Sequence, residues 1–373
     1  MTSSEKQGLH GTNTPETLID WDQLLDRPRV PVDHAALRAA FAGRRIAITG
    51  AAGSLGRELA ATVAAHQPAS LILLDSGEAG LFALRERLLG AGQPEELLHF
   101  HLTDVRNRRR IAAIFAATRP EVVFHLAAYK HVPWAEAAPS EYLDVNLGGG
   151  RVVIEEAARV GVAQVIYPST DKAVNPPSLY GATKRIIEAQ LREVAAQSGT
   201  RCVATRFVNV LGSQGSVGVT FARRIAAGEP LPITDPTMTR YWIAPQHGTL
   251  LLAYAAAPAF DEPFTILLPE ALPAIPVVEI ARRIWVQLGK QGEPPIVVTG
   301  SRPGERLYEE LVGEAEEYEQ APYRGILQVR GMADAPPGTP IAAGIAEMLA
   351  AVEASRPESE LRARALAWAH TIR

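Results

Sequence analysis

Thr49-Gly50-Ala51-Ala52-Gly53-Ser54-Leu55-Gly56 stands between an apolar run, RRIAIT (44–49), and a helical pattern, LGRELAATVAAH (55–66). Three glycines at a strand–helix junction permit a tight turn, close backbone approach to a ligand, and close helix–strand packing. The helix that follows offers free N–H groups and partial positive charge at its start, where Ser54 and Leu55 lie. The stretch therefore suits the pyrophosphate of a dinucleotide, although its spacing is G-x-x-G-x-x-G and not the commoner G-x-G-x-x-G.

Outward from this turn, short apolar runs alternate with helical segments. The expected strands are 44–49, SLILLD (70–75), LLHFHLTD (97–104), EVVFHLAA (121–128), QVIYPST (164–170) and RCVATRFV (201–208). Near-continuous apolar strands separated by helices predict an α/β fold. We expect a doubly wound, Rossmann-like parallel sheet covered on both faces.

Three parts follow: a leader over 1–43, a dinucleotide-binding core over 44–212, and a smaller substrate lobe with C-terminal helices over 213–373. The leader is expected to be disordered from Met1 to about Pro15, then ordered from Leu18 to Phe41 with a short helix. After Gly212 the rhythm weakens. Strands are predicted at 264–268 and 295–299, helices near 217–228, 277–289, 305–313 and 341–354, and a loop over ADAPPGTP (333–340).

Composition bounds the function. Of 373 residues, 47% are hydrophobic and 21% charged, which are globular values. The formal net charge of -4 gives no global field to attract nucleic acid. Cys202 is the single cysteine, so no intramolecular disulfide forms, and the nine histidines show no metal-ligand spacing. No signal peptide is recognisable, and the longest apolar stretch, Thr249 to Phe260, is well short of the roughly 20 residues a membrane helix needs. A soluble, cytoplasmic protein without membrane insertion is expected.

Asp75 closes the second strand, where a carboxylate accepts hydrogen bonds from ribose hydroxyls and repels a 2′-phosphate. Ser76 and Gly77 offer no cation, so NAD is expected over NADP. The alternative is that Asp75 caps the next helix. Asp104, followed by Val105, is expected near the adenine or as a loop cap. Ala127, Ala128 and Asn146 complete the expected cofactor contacts. Lys130 and His131 lead from the fourth strand toward the same crevice, to meet the nicotinamide half or the substrate, or to sit in a solvated loop.

Tyr180-Gly-Ala-Thr-Lys184 places a phenol and an ammonium on one helix face. A nearby ammonium lowers a phenol pKa, so Tyr180 is an acid–base candidate. Ser169 and Thr170, at the end of the fifth strand, could hold the same substrate oxygen.

TGAAGSLG, the Ser/Thr ahead of Tyr180 and Lys184, and RFVNVLGS resemble the extended short-chain dehydrogenase/reductases. AAYKHVP (127–133), STDKAVNP (169–176), SLYGATKR (178–185), MTRYW (238–242) and SRPGERLYEEL (301–311) narrow the resemblance to bacterial UDP-N-acetylglucosamine 4,6-dehydratases of polysaccharide biosynthesis. It spans about residues 20 to 330. It implies NAD-dependent dehydration of a UDP-N-acetylhexosamine to the 4-keto-6-deoxy sugar, for surface glycan synthesis. Hydride leaves C4 while Tyr180 takes the hydroxyl proton, a base removes the C5 proton, an acid protonates the leaving 6-hydroxyl, and hydride returns to C6.

By resemblance Asp171 is that acid and Lys172 that base. Burial favours the neutral form of each, whereas their mutual attraction opposes it. Asn209 is expected to bond the sugar or its phosphate. Relatives usually carry glycine where this chain has Val208, which bears on the hexose accepted. Arg240 and Arg302 suit a diphosphate, and Arg302-Pro303-Gly304-Glu305 reads as a turn into a helix, with Glu305 near its start. The resemblance also implies a homo-oligomer, dimer or larger. Some members carry an N-terminal membrane region, so the short polar leader here implies a soluble version. Two other readings are a nucleotide-sugar 4-epimerase, which would not need Asp171 and Lys172, and a non-catalytic NAD-binding regulator.

Overall fold

The computed structural model describes residues 14–331 and 340–372. The expected disorder of the N-terminus and the expected loop at 333–340 therefore fall almost wholly outside the described residues. Pro15–Leu18 form a short 3-10 helix, and His34–Phe41 a helix capped by the Asp33 carboxylate.

The six expected core strands form β1 (Arg45–Thr49), β2 (Ser70–Asp75), β3 (Leu98–Leu102), β4 (Val122–His125), β5 (Gln164–Thr170) and β6 (Arg201–Phe207). They lie parallel in the order β3-β2-β1-β4-β5-β6. The reversal between β1 and β4 leaves a crevice at the strand carboxyl ends, where such sheets bind ligands. Leu71 to Leu74 and Val122 to Phe124 are fully buried, as two-sided cover requires.

Position 212 does not bound this sheet. β7 (Phe264–Pro269) extends it parallel to β6, and β8 (Glu317–Gln320) and β9 (Ile326–Arg330) add antiparallel strands beyond β7. Every residue of β7 is buried, so this run enters the central layer, not the smaller lobe. That lobe has its own apolar cluster, in which leader residues Ile19, Leu24 and Leu25 pack with Leu211, Phe221, Trp242 and Ile280.

The helix predicted over 305–313 is absent. Tertiary hydrogen bonds replace the helical ones. The Leu307 carbonyl accepts from the Thr239 N–H at 3.1 Å and from the Arg240 guanidinium at 3.1 Å, while Arg306 donates to the Val174 and Asn175 carbonyls. Segment 301–313 is thereby laid across the end of β5.

Candidate active site

The glycine turn forms the floor of a cleft of about 400 Å³, lined by Gly50, Ala52, Gly53, Asp75, Thr103 to Arg106, and Leu126 to Tyr129. Gly50 has φ +66°, and a Cβ there would lie 2.7 Å from the Ala127 nitrogen. A Cβ on Gly56 would lie 2.2 Å from the Gly50 carbonyl oxygen, which fixes the helix Ser54–Ala64 against β1. Gly53, the residue before that helix, meets only the Gly50 carbonyl, at 3.3 Å. Ser54 and Leu55 begin the helix. Bare backbone, an open cleft and a helix N-terminus together fit a dinucleotide.

Asp75 Oδ2 accepts from the Ala52 N–H at 2.9 Å and Oδ1 from the Gly77 N–H at 2.8 Å, so this carboxylate also shapes the turn. Asp104 accepts from the Arg106 backbone N–H at 2.8 Å and pairs with its guanidinium. Asn146 lies in a π-helical stretch, Leu143–Gly149, a local irregularity frequent at functional sites. Its amide exchanges hydrogen bonds with the Tyr129 backbone at 2.8 and 3.1 Å and meets the Thr183 hydroxyl at 3.2 Å. Asn146 thus orders the loop after β4.

At the other end of the crevice, β5 runs into Asp171 and Lys172, and Ser178 caps the helix Leu179–Ser198 that carries Tyr180 and Lys184. Asp171 is 1% exposed. Its Oδ1 accepts from the Thr170 hydroxyl at 2.9 Å and from Lys172 Nζ at 3.0 Å, and its buried Oδ2 has no hydrogen-bond partner among the described residues. Thr170 also lies beside the Tyr180 phenol.

The electrostatics differ from the sequence expectation in two ways. Burial pushes the Tyr180 phenol up to about 12, and the cation opposing this is Lys172. Lys184 cannot supply that role fully, because burial pulls its own pKa to about 7. Its Nζ donates to the Pro168 carbonyl at 2.8 Å and sits 4.3 Å from the Tyr167 ring centroid. For Lys172, burial lowers the pKa, but the Asp171 and Glu309 carboxylates outweigh it and hold the ammonium above its usual range. Attraction wins the conflict between burial and charge.

Several expected site residues are engaged elsewhere. Ser169 points to the opposite face of β5 from Thr170, as strand alternation requires, and donates to Glu188 Oε1 at 2.6 Å. Its hydroxyl is thus committed to Glu188, away from Thr170. Arg240 spends its guanidinium on the carbonyls of Thr239, Arg306 and Leu307 and lies 3.5 Å from Glu309, so it is not a free diphosphate clamp. Glu305 does not begin a helix; it accepts from the Thr234 hydroxyl at 3.4 Å. Lys130 donates to the Gln214 carbonyl at 3.1 Å, His131 packs on Gly215, and the Asn209 amide donates to the Tyr241 carbonyl at 3.2 Å. Arg302 is exposed, and its guanidinium makes no hydrogen bond or ion pair among the described residues.

Sequence reasoning missed two carboxylates. Glu309, within the quoted SRPGERLYEEL motif, places Oε1 3.3 Å from Lys172 Nζ. Glu188 follows Tyr180 and Lys184 at four-residue spacing and is bound by the fully buried Arg206, which also grips Glu316. The i, i+4, i+8 register could have signalled Glu188, whereas nothing local signals Glu309.

A family model described as polysaccharide biosynthesis protein matches residues 46–331. The probable polysaccharide biosynthesis protein EpsC of Bacillus subtilis is 35% identical over 311 residues, 83% of this chain and 52% of that protein. The chain thus spans about half the length of that relative. A UDP-N-acetylglucosamine 4,6-dehydratase (inverting) of Campylobacter jejuni is 32% identical over 278 residues, 73% of this chain and 78% of the relative. The solved UDP-glucose 4-epimerase of Thermus thermophilus, in complex with NAD, superposes with a TM-score of 0.62 at 22% identity, covering 72% of this chain and 90% of that one. Among the described residues no helix is long and apolar enough to cross a membrane.

Proposed function

The chain belongs to the polysaccharide biosynthesis protein family, and from that premise we propose that it is a nucleotide-sugar 4,6-dehydratase acting on UDP-N-acetylglucosamine with NAD as resident cofactor. NAD, when bound, supplies a reversible hydride acceptor. Gly50, Gly53 and Gly56 would hold its pyrophosphate, and Asp75 its adenosine ribose. Arg106 does not recruit a 2′-phosphate in this reading, because Asp104 and Asp144 each hold it at 2.7 Å.

The observation that carries the reading is the Asp171–Lys172 contact, with an Asp171 Oδ2 that has no hydrogen-bond partner among the described residues, and the influence of both groups on the Tyr180 phenol. Elimination needs a protonated acid and a neutral base. Moving one proton from Lys172 Nζ to Asp171 creates both at once, breaking one N–H bond and forming one O–H bond with no change in net charge. Lys172 then takes the C5 proton, and Asp171 gives its proton to the departing 6-hydroxyl, which leaves as water. That step restores the ion pair seen in the structure. Tyr180, acting as the phenolate whose charge Lys172 and Thr170 favour, takes the C4 hydroxyl proton and keeps it through the elimination. Once hydride has returned to C6, Lys172 gives its proton to C5, and the Tyr180 phenol recharges Lys172, which restores the starting state.

A 4-epimerase would use Tyr180 and Lys184 but has no use for this acid–base pair. Mass spectrometry of UDP-N-acetylglucosamine after incubation separates the two. The dehydratase yields a product lighter by one water, and a product of unchanged mass identified as the C4 epimer would end the proposal.

A further inference from the structure

We infer that Glu309 is a positioning residue that sets the charge, and so the base strength, of Lys172. Lys172 as the base rests on the dehydratase reading; the contact between the two side chains does not. Glu309 arrives from segment 301–313, more than a hundred residues away in sequence, yet its side chain is only 3% exposed. Its Oε1 is 3.3 Å from Lys172 Nζ and 3.5 Å from Arg240 Nε. Asp171 faces the same ammonium at 3.0 Å from the 3-10 turn that follows β5, and Tyr180 faces it from the helix Leu179–Ser198.

The four charged groups, Asp171, Lys172, Glu309 and Arg240, form a largely buried set of zero formal charge. Within it Glu309 has a distinct place. Asp171 must change charge for elimination, whereas Glu309 is held between two cations, Lys172 at 3.3 Å and Arg240 at 3.5 Å. Its fixed anion favours the ammonium, so Lys172 binds the C5 proton more tightly once it has it. Neutralising Glu309 should leave a weaker base that is neutral more of the time. The Arg240 contacts with the backbone of 306 and 307 hold segment and carboxylate in register with Lys172.

The test uses the full chain with its native cofactor content. Only a neutral amine reacts with formaldehyde and cyanoborohydride, so the methylation rate of Lys172 at about pH 8, read by peptide mass spectrometry, reports its neutral fraction. Lys290, exposed in the loop after the helix Val277–Gln287, serves as internal standard. Glu309→Gln should speed Lys172 methylation roughly tenfold, the equivalent of one pKa unit, with Lys290 unchanged. Glu309→Asp, which keeps the charge, should stay near the wild-type rate. Equal acceleration in both variants would mean that the segment only shields the amine, and no acceleration in Glu309→Gln with an unaltered melting temperature would mean that the carboxylate does not control it; either result overturns the inference. Failure of the wild type to dehydrate UDP-N-acetylglucosamine would instead strike the functional reading and leave this measurement standing.

Discussion

The two ends of the crevice are built from different materials. The glycine end is mostly backbone: a turn, a helix N-terminus and one carboxylate that braces them, all within the first two βα units and open as a cleft of about 400 Å³. The other end is side chains, with Asp171, Tyr180 and Glu309 buried, Lys172 partly so, and a distant segment laid over them. A backbone site is specified by the residues that are missing, the Cβ atoms. A side-chain site is specified by charges whose values depend on partners far away in sequence. Damage at the first end should therefore remove binding, and damage at the second should remove chemistry.

The largest expected effect lies at the side-chain end. Asp171→Asn keeps the shape but cannot exchange a proton with Lys172, and turnover should fall by about 10³-fold with bound NAD unchanged. An equal loss of NAD would erase the distinction between the ends. At the backbone end, Gly50→Ala meets both a positive φ and the Ala127 nitrogen at 2.7 Å. Equilibrium dialysis should show NAD affinity reduced by about 100-fold; unchanged affinity would remove the turn from the binding site.

A smaller effect tests the charge of the buried helix face. Lys184 has its folded pKa lowered from 10.5 to about 7 by burial. The unfolded chain therefore binds more protons between those values, and this group's contribution to stability rises with pH across that window and is lost as pH falls through about 7. Denaturant unfolding should show wild type gaining about 3 kcal/mol over Lys184→Met between pH 7 and 9.5. Parallel curves would show that the amine titrates normally. The smallest effect is Asp75→Ala, which removes a brace of the turn and the acceptor proposed for the ribose. NAD should bind about tenfold more weakly and its preference over NADP should narrow; a preference left intact would assign Asp75 to the turn alone.

The same contrast explains what can be read from the sequence. The six core strands are legible because apolar runs buried on both faces leave a continuous local mark, and β5 falls on the predicted 164–170. The glycine turn is legible for a related reason: strand, turn and helix are neighbours in the chain. Asp171, Lys172 and Tyr180 stand out because they cluster within ten residues, with resemblance supplying their roles.

What escapes depends on contacts between distant residues. The predicted helix at 305–313 gives way to hydrogen bonds with residues 174, 175, 239 and 240, which no local periodicity encodes. Arg240 reads as free in the sequence because two of its three carbonyl acceptors lie 66 and 67 residues downstream. Ser169 and Thr170 read as a pair, although strand alternation alone separates them. The β7 run is recognisable as a strand but not as a member of the main sheet, since pairing with β6 is a matter of topology.

The central claim is that the side-chain end makes this protein a lyase whose cofactor returns what it takes. Incubating it with UDP-N-acetylglucosamine deuterated at C4 tests that directly by NMR of the product. The account predicts a 4-keto-6-deoxy sugar with the deuterium at C6. Deuterium still at C4 of an epimerised sugar, or its absence from C6 of a dehydrated one, would contradict it.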